Sequence, residues 1–181
     1  MSADKQAAFM QAYKGCHEPF VRYCSAVAYG KMDTDDLVQD VLLSAFHHFD
    51  GIEKKDELLH YLLRAARNRA ISVWRMRRKN EAICEKQAKK LMARGASAEM
   101  MVDVGILYGA LDKLPGDQRE ALVLFEVSGL SMAEIAVIQD RSEGSVKTCV
   151  SRARTALRQQ LQGRVKSAHA EVLHTLTSFL L

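Results

Sequence analysis

The chain is short of the residues that break structure. Its 181 residues include only two prolines and ten glycines. A sandwich or barrel needs a turn signal about every 8–12 residues, so a many-stranded β fold is excluded. No apolar run approaches the ~18 residues that cross a bilayer, so membrane insertion is not expected. The opening segment MSADKQAAFMQAYKG lacks the basic-then-apolar order of a secretory signal, and the chain is expected to be cytoplasmic. Cysteine is sparse too. Cys16, Cys24, Cys84 and Cys149 form no C-x-x-C pair, and no His stands at zinc-ligand spacing from two of them. They read as reduced thiols. The closeness of Cys16, His17 and Cys24 is the one hint of redox or metal chemistry. No Walker loop, paired metal carboxylates or nucleophile motif appears, so neither a catalytic residue nor a metal or cofactor is expected.

What is present points to packed helices. Hydrophobic residues make up 48% of the chain, enough to build a core and to set aside wholesale disorder. Ala, Leu, Arg and Gln are plentiful, and all are good helix formers. The length suits one ordinary domain or two small ones.

The formal net charge of +4 hides strong segregation. Residues 33–57 hold eight acids against two lysines, a net of −6. Residues 64–94 hold eleven bases against two acids, a net of +9. Residues 112–140 then carry −4 and residues 141–166 carry +6. Each basic block is a footprint for a polyanion. An acidic block beside each one suggests a second kind of partner surface.

Apolar residues recur at helical steps throughout. Ala8, Met10, Tyr13, Phe20, Tyr23, Val27 and Ala28 begin the pattern, Pro19 suits the first turn of a second helix, and Gly30 ends that helix. Asp33 or Thr34 caps the next helix, with Asp35 and Asp36 favoured in its first turn. Leu37, Val41, Ala45, Phe46 and Phe49 point inward from it. After a break at Asp50-Gly51, Asp56 opens a long helix with Leu59, Leu62, Leu63, Ala66, Ala70, Val73 and Trp74 at core spacing. The pattern weakens after Asn80, and Gly95-Ala96-Ser97 reads as a linker. Beyond it come a helix through MMVDVGILYGALDKL, one starting at Pro115 and ended by Gly129, one capped by Ser131, and one capped by Ser142. Glu134, three residues after Ser131, completes a capping box. The fold expected is all-α: two small helical domains joined by a linker.

The last two of these helices, with a short turn at Asp140-Arg141, have the form of a helix-turn-helix. In such a unit the N-terminal part of the second helix meets base edges in the major groove. Ser145, Lys147, Thr148, Ser151 and Arg152 lie on its polar side, and Arg154 and Arg158 suit phosphates. The plain alternative is a solvated basic helix.

Here a resemblance becomes specific. Leu114-Pro115, Arg119-Glu120, Gly129-Leu130-Ser131, Glu134-Ile135-Ala136, Ser142-x-Gly144-Ser145-Val146-Lys147-Thr148 and Arg152-Ala153-Arg154 closely resemble region 4 of the extracytoplasmic-function (group 4) sigma factors of bacterial RNA polymerase. Alone, this signal also fits the output domain of a response regulator. The upstream string DTDDLVQDVLLSAF decides between them, because it resembles sigma region 2.2. HYLLRAARNRAISVWRMRRK resembles regions 2.3–2.4. The matches span roughly residues 6–161, in the family's order.

The resemblance implies a sigma region 2 over residues 1–94, a linker and start of the next domain over 95–109, a sigma region 4 over 98–161 and a C-terminal helical extension over 162–181. It implies that Asp36, Gln39 and Asp40 contact core polymerase. Phe49, Lys54, Lys55, Arg64, Asn68, Arg75 and Arg78 would meet the −10 element. Ser145, Lys147, Thr148, Ser151, Arg152 and Arg154 would meet the −35 element. The implied partners are core RNA polymerase (the β′ clamp and β flap), promoter DNA and an anti-sigma factor. The competing reading is a sigma-like DNA-binding regulator that does not engage polymerase.

The sequence departs from the family pattern in places. Tyr61 stands for a usual Trp, Ser72 for a frequent Asp or Asn, and Cys149 for a common Arg. Lys54 and Lys55 make their loop unusually basic. The tail over 162–181 places Val165, His169, Val172, Leu176 and Phe179 or Leu180 on one helical face. It reads either as an added helix packed on the second domain or the linker, or as a segment docked between the two domains.

Overall fold

A computed structural model describes residues 3–52, 57–76, 89, 92–93 and 95–161 of the chain. Among these residues there are eight α-helices and no strand. The first half comprises α1 (Ala3–Lys14), α2 (His17–Ala28), α3 (Thr34–His48), a single 3-10 turn (Phe49–Gly51) and α4 (Leu58–Met76). The second comprises α5 (Ala98–Leu111), α6 (Gly116–Glu126), α7 (Met132–Gln139) and α8 (Glu143–Leu161). Asp56, the expected cap of α4, and the tail over 162–181 lie outside the described residues.

The helix starts follow local chemistry. Asp33 caps α3, its carboxylate accepting from the Asp35 N–H at 2.9 Å. Ser97 caps α5 by accepting from the Met100 N–H at 3.1 Å. Ser131 and Glu134 form the expected capping box, with Glu134 N–H to Ser131 Oγ at 3.2 Å and Ser131 N–H to Glu134 Oε2 at 2.8 Å. Each cap satisfies a backbone donor that the first helical turn leaves without a partner. Gly30 and Gly129 follow helix ends with φ of 68° and 70°, the left-handed region that glycine enters without a Cβ clash.

In the first half, Phe20, Tyr23 and Cys24 of α2, Leu37, Val41 and Ala45 of α3, and Leu58, Leu62, Leu63 and Ala66 of α4 form the interior. The helix α1 closes it with Phe9, whose ring meets Phe46 and Phe49 edge-on at 5.4 and 5.2 Å. Such pairs contribute about 0.5–1.5 kcal/mol beyond burial. In the second half, α8 lays Val146, Val150, Ala153 and Leu157 against the rest, and all four are buried beside Leu122, Leu124, Ile135 and Ile138. The two halves touch. Helices α2 and α6 pack together, as do α4 and α7, and the buried apolar residues form one continuous cluster.

Candidate nucleic-acid and polymerase interfaces

The α7–turn–α8 unit has the form of a helix-turn-helix, and the orientation of its second helix is set from below. Asp140 ends α7 in the left-handed conformation at φ 53°, a conformation that Asp tolerates better than most residues. The chain then turns at Arg141, and the Ser145 N–H bonds Ser142 Oγ at 3.3 Å. With the apolar stripe of α8 buried, its other side faces outward. Lys147, Thr148, Ser151 and Arg152 are exposed and Ser145 is half-buried. Lys147 pairs with Glu143 one turn away at 2.7 Å. An exposed i,i+4 pair contributes about 0.3–0.5 kcal/mol, so phosphate can displace it.

Arg154 differs from the others in this set. Its guanidinium holds Glu126 at 2.6 Å and lies 5.0 Å over the Phe125 ring, so it joins α8 to α6. The gap at Cys149 is partly filled from elsewhere. Arg141 Nη1 lies 3.7 Å from Cys149 Sγ, while the same guanidinium pairs with Asp117. A cation therefore stands over position 149 although the residue there is neutral. Sequence reading passed over Arg141, because the turn that folds it back is a matter of backbone direction.

On the first half, Asp36, Gln39 and Asp40 are all exposed on α3. Leu43 completes their i, i+3, i+4, i+7 stripe and is 61% exposed. The spacing of these four residues puts them on one face of α3, one helical turn apart. Asp40 accepts from Arg69 of α4 at 2.8 Å. On α4, Arg64 and Asn68 are exposed, but Arg64 donates to the Val137 carbonyl of α7 at 2.9 Å. Phe49 does not face outward. It is 3% exposed and continues the Leu37, Val41, Ala45 stripe by one more turn. The inward placement expected for it holds, and no face of its ring is left for a base. Lys54, Lys55 and Arg78 lie outside the described residues, as does the side chain of Arg75. Tyr61 is half-buried and packs against the core.

One carboxylate stands apart electrostatically. Glu120 of α6 is 8% exposed. Burial pushes its carboxyl above the usual carboxylate range, although Arg67 of α4 and Gln139 pull the other way. Arg67 Nε lies 2.6 Å from Glu120 Oε1, and Gln139 Nε2 donates to Glu120 Oε2 at 3.0 Å. Glu134 is shifted oppositely, held below the usual range by the Ser131 hydroxyl and N–H. The thiols of Cys16 and Cys24 are pushed up by burial, which disfavours the thiolate that redox or metal chemistry needs.

Residues 12–80 match the sigma-70 region 2 family and residues 105–157 the sigma-70 region 4 family. The ECF RNA polymerase sigma factor EcfG of Rhodopseudomonas palustris is 35% identical over 123 residues, covering 68% of each chain. The RNA polymerase sigma-E factor of Streptomyces avermitilis is 31% identical over 139 residues, covering 77% of this chain and 76% of its own. Among solved structures, CnrH in complex with the cytosolic domain of CnrY is 25% identical with a TM-score of 0.65, over 88% of this chain and 91% of that one. The sigma factor RpoE in complex with the anti-sigma factor NepR from Bartonella quintana is 25% identical with a TM-score of 0.62, over 91% and 100%.

Proposed function

The chain belongs to the extracytoplasmic-function sigma factors of the sigma-70 family, and from that we propose how its two halves divide the work of starting transcription. The first half, residues 1–94, is region 2. Its α3 stripe of Asp36, Gln39 and Asp40, extended by Leu43, docks on the polymerase β′ clamp. Carboxylates and an amide meet basic and polar clamp groups there, and Leu43 supplies the apolar anchor. The basic face of α4, with Arg64 and Asn68, and beyond it Arg75 and Arg78, holds the opened −10 strand together with Lys54 and Lys55. Single-strand capture calls for such a basic groove with groups for unstacked bases.

The second half, residues 98–161, is region 4. Its helix α8 enters the major groove of the −35 duplex, where Ser145, Thr148, Ser151 and Arg152 read base edges and Lys147 neutralises phosphate. Arg154 serves mainly to hold α8 on α6. Arg141 supplies the cation that Cys149 does not. A second contact, on the polymerase β flap, accompanies this half. The protein performs no covalent chemistry and works by holding polymerase and promoter at once. An anti-sigma partner restrains it. No described helix is long and apolar enough to cross a membrane.

The observation that carries this reading is the outward acidic stripe on α3, ahead of a capped reading unit in the same chain. A regulator acting on DNA alone has no use for that stripe. The deciding experiment is run-off transcription with core polymerase and a random promoter library. Transcripts that depend on both core and this chain, enriched for two spaced elements, are the expected result. Binding and repression with no dependence on core would favour the DNA-only regulator.

A further inference from the structure

Helix α5 is apolar on two sides, and only one of them is covered. Val104, Leu107, Tyr108 and Leu111 share the inner side and are buried. Val102, Gly105, Ile106, Gly109 and Lys113 share the opposite side, at steps of three and four. There Val102 is 62% exposed, and Gly105, Ile106 and Gly109 are half-buried. A helix that is apolar all round is normally enclosed, so this side lacks a cover among the described residues.

The two glycines sharpen the point. Both lie inside α5, where glycine destabilises a helix relative to alanine. A Cβ at either would meet nothing within 4 Å, so no described neighbour demands their small size. One turn apart, they leave a dent into which a second backbone can settle. A cavity of about 200 Å³ lies there, between Gly105, Ile106, Gly109 and Lys113 of α5 and Gln160 and Leu161 of α8. Gln160 Oε1 is shut off from water yet has no hydrogen-bond partner among the described residues. Buried polar atoms are nearly always paired, so the cavity lacks a donor as well as an apolar cover.

Helix α8 ends at Leu161, so the next residues of the chain leave from the cavity wall. The tail over 162–181 carries Val165, Val172, Leu176 and Phe179 at helical spacing. Gly163 suits the left-handed residue that ends a helix and reverses the chain. A connection this short joins two antiparallel helices into a hairpin. Ser167, His169 and His174 offer donors to Gln160. A helix from Val165 to Leu176 rises about 16 Å, and α5 rises as much from Val102 to Lys113.

We propose that the tail folds back at Gly163 and lays this apolar side, as a helix, over the dent at Gly105 and Gly109, completing the core of the second half. The placement does not rest on the sigma reading. Arg152 stands nine residues before Leu161, about 13 Å along α8, so the docked tail leaves the outward set on that helix clear.

Hydrogen exchange of the full chain tests this. Tail amides should exchange about tenfold or more slowly than those of the free 162–181 peptide. Gly105→Leu with Gly109→Leu fills the dent and should return the tail to the peptide's rate. Val172→Glu with Leu176→Glu, placed outside the described residues, should do the same without touching α5. A tail that exchanges like the free peptide in the parent chain overturns the docking, as does protection that survives either pair of substitutions. Protection that vanishes on dilution, together with a dimer's mass by light scattering, would put a second copy in the groove and overturn it too.

Discussion

Replacing Arg67 with Ala isolates the central ion pair of the interface between the halves. Arg67 Nε and Glu120 Oε1 are 2.6 Å apart, and the glutamate side chain is 9% exposed. Removing the cation leaves a carboxylate buried with Gln139 as its remaining hydrogen-bond donor. Stripping one partner from a buried pair typically costs about 3–5 kcal/mol. Arg67 itself is 26% exposed, so water can partly fill its place and the lower figure applies. A cost of about 3 kcal/mol corresponds to a roughly 150-fold shift from packed to separated halves. Separation lets water reach Glu120, so the cost falls on the packed state rather than on either half's own fold. The sign with pH follows from the raised carboxyl of Glu120. The packed state holds this proton more tightly than the separated state, so proton uptake favours packing. In Arg67→Ala the penalty is full while Glu120 is ionised, and it fades as pH falls through the raised value. Scattering or an inter-half fluorescence distance near pH 8 and near pH 5 reads both effects. Adding Glu120→Gln removes the unpaired charge and should restore most of the packing at the higher pH. An unmoved equilibrium at high pH, or a double variant as open as the single one, would refute the argument.

Other substitutions probe the remaining parts. Alanine at Asp36, Gln39 and Asp40 together, or Leu43→Asp alone, should abolish core polymerase binding in a pull-down. These residues are exposed, so the melting temperature should stay within the ~0.5 kcal/mol scatter of surface changes. Ser131→Ala removes the hydroxyl from the capping box and should cost about 1 kcal/mol, or about 2–4 °C in calorimetry for a chain of this size. The depressed carboxyl of Glu134 contributes stability above the ordinary carboxylate range and loses it as pH falls through the depressed value. The gap between Ser131→Ala and the parent should therefore narrow in acid. Arg152→Ala should lose about 1–3 kcal/mol on a selected −35 duplex and far less on a scrambled one. Equal losses on both would make Arg152 a phosphate contact.

Much of the architecture was legible because helix boundaries are local chemistry. The Ser131 capping box, the Asp33 cap, and the terminating Gly30 and Gly129 all stand where side-chain chemistry and the Cβ penalty put them. Asp36, Gln39 and Asp40 of α3 were singled out by the resemblance to sigma region 2.2, and all three are exposed. What stayed hidden is what covers each face. Periodicity says that Tyr29, just past the end of α2, and Arg67 of α4 belong to surfaces of some apolar and basic character, but not that Tyr108 and Glu120 from the other half lie against them. The partner of Arg64 on α7 stayed hidden for the same reason. A guanidinium donates to any nearby oxygen, and the Val137 carbonyl arrives only through tertiary packing. Phe49 was ambiguous by position, at the end of a helix and the start of a loop. Its four-residue step from Ala45 already favoured the interior.

The buried stripe of α8 has a further consequence. Val146, Val150, Ala153 and Leu157 fasten the helix to its domain, while Lys147, Thr148, Ser151 and Arg152 project from the opposite side. The two sets share a backbone and little else. Changes on the outer side leave the fastening alone, and such surface changes usually alter stability by less than about 0.5 kcal/mol. The outer positions therefore behave as an interchangeable alphabet. On the proposed reading of this helix, new promoter preferences can be written into it, by evolution or by an engineer, without redesigning the protein that carries it.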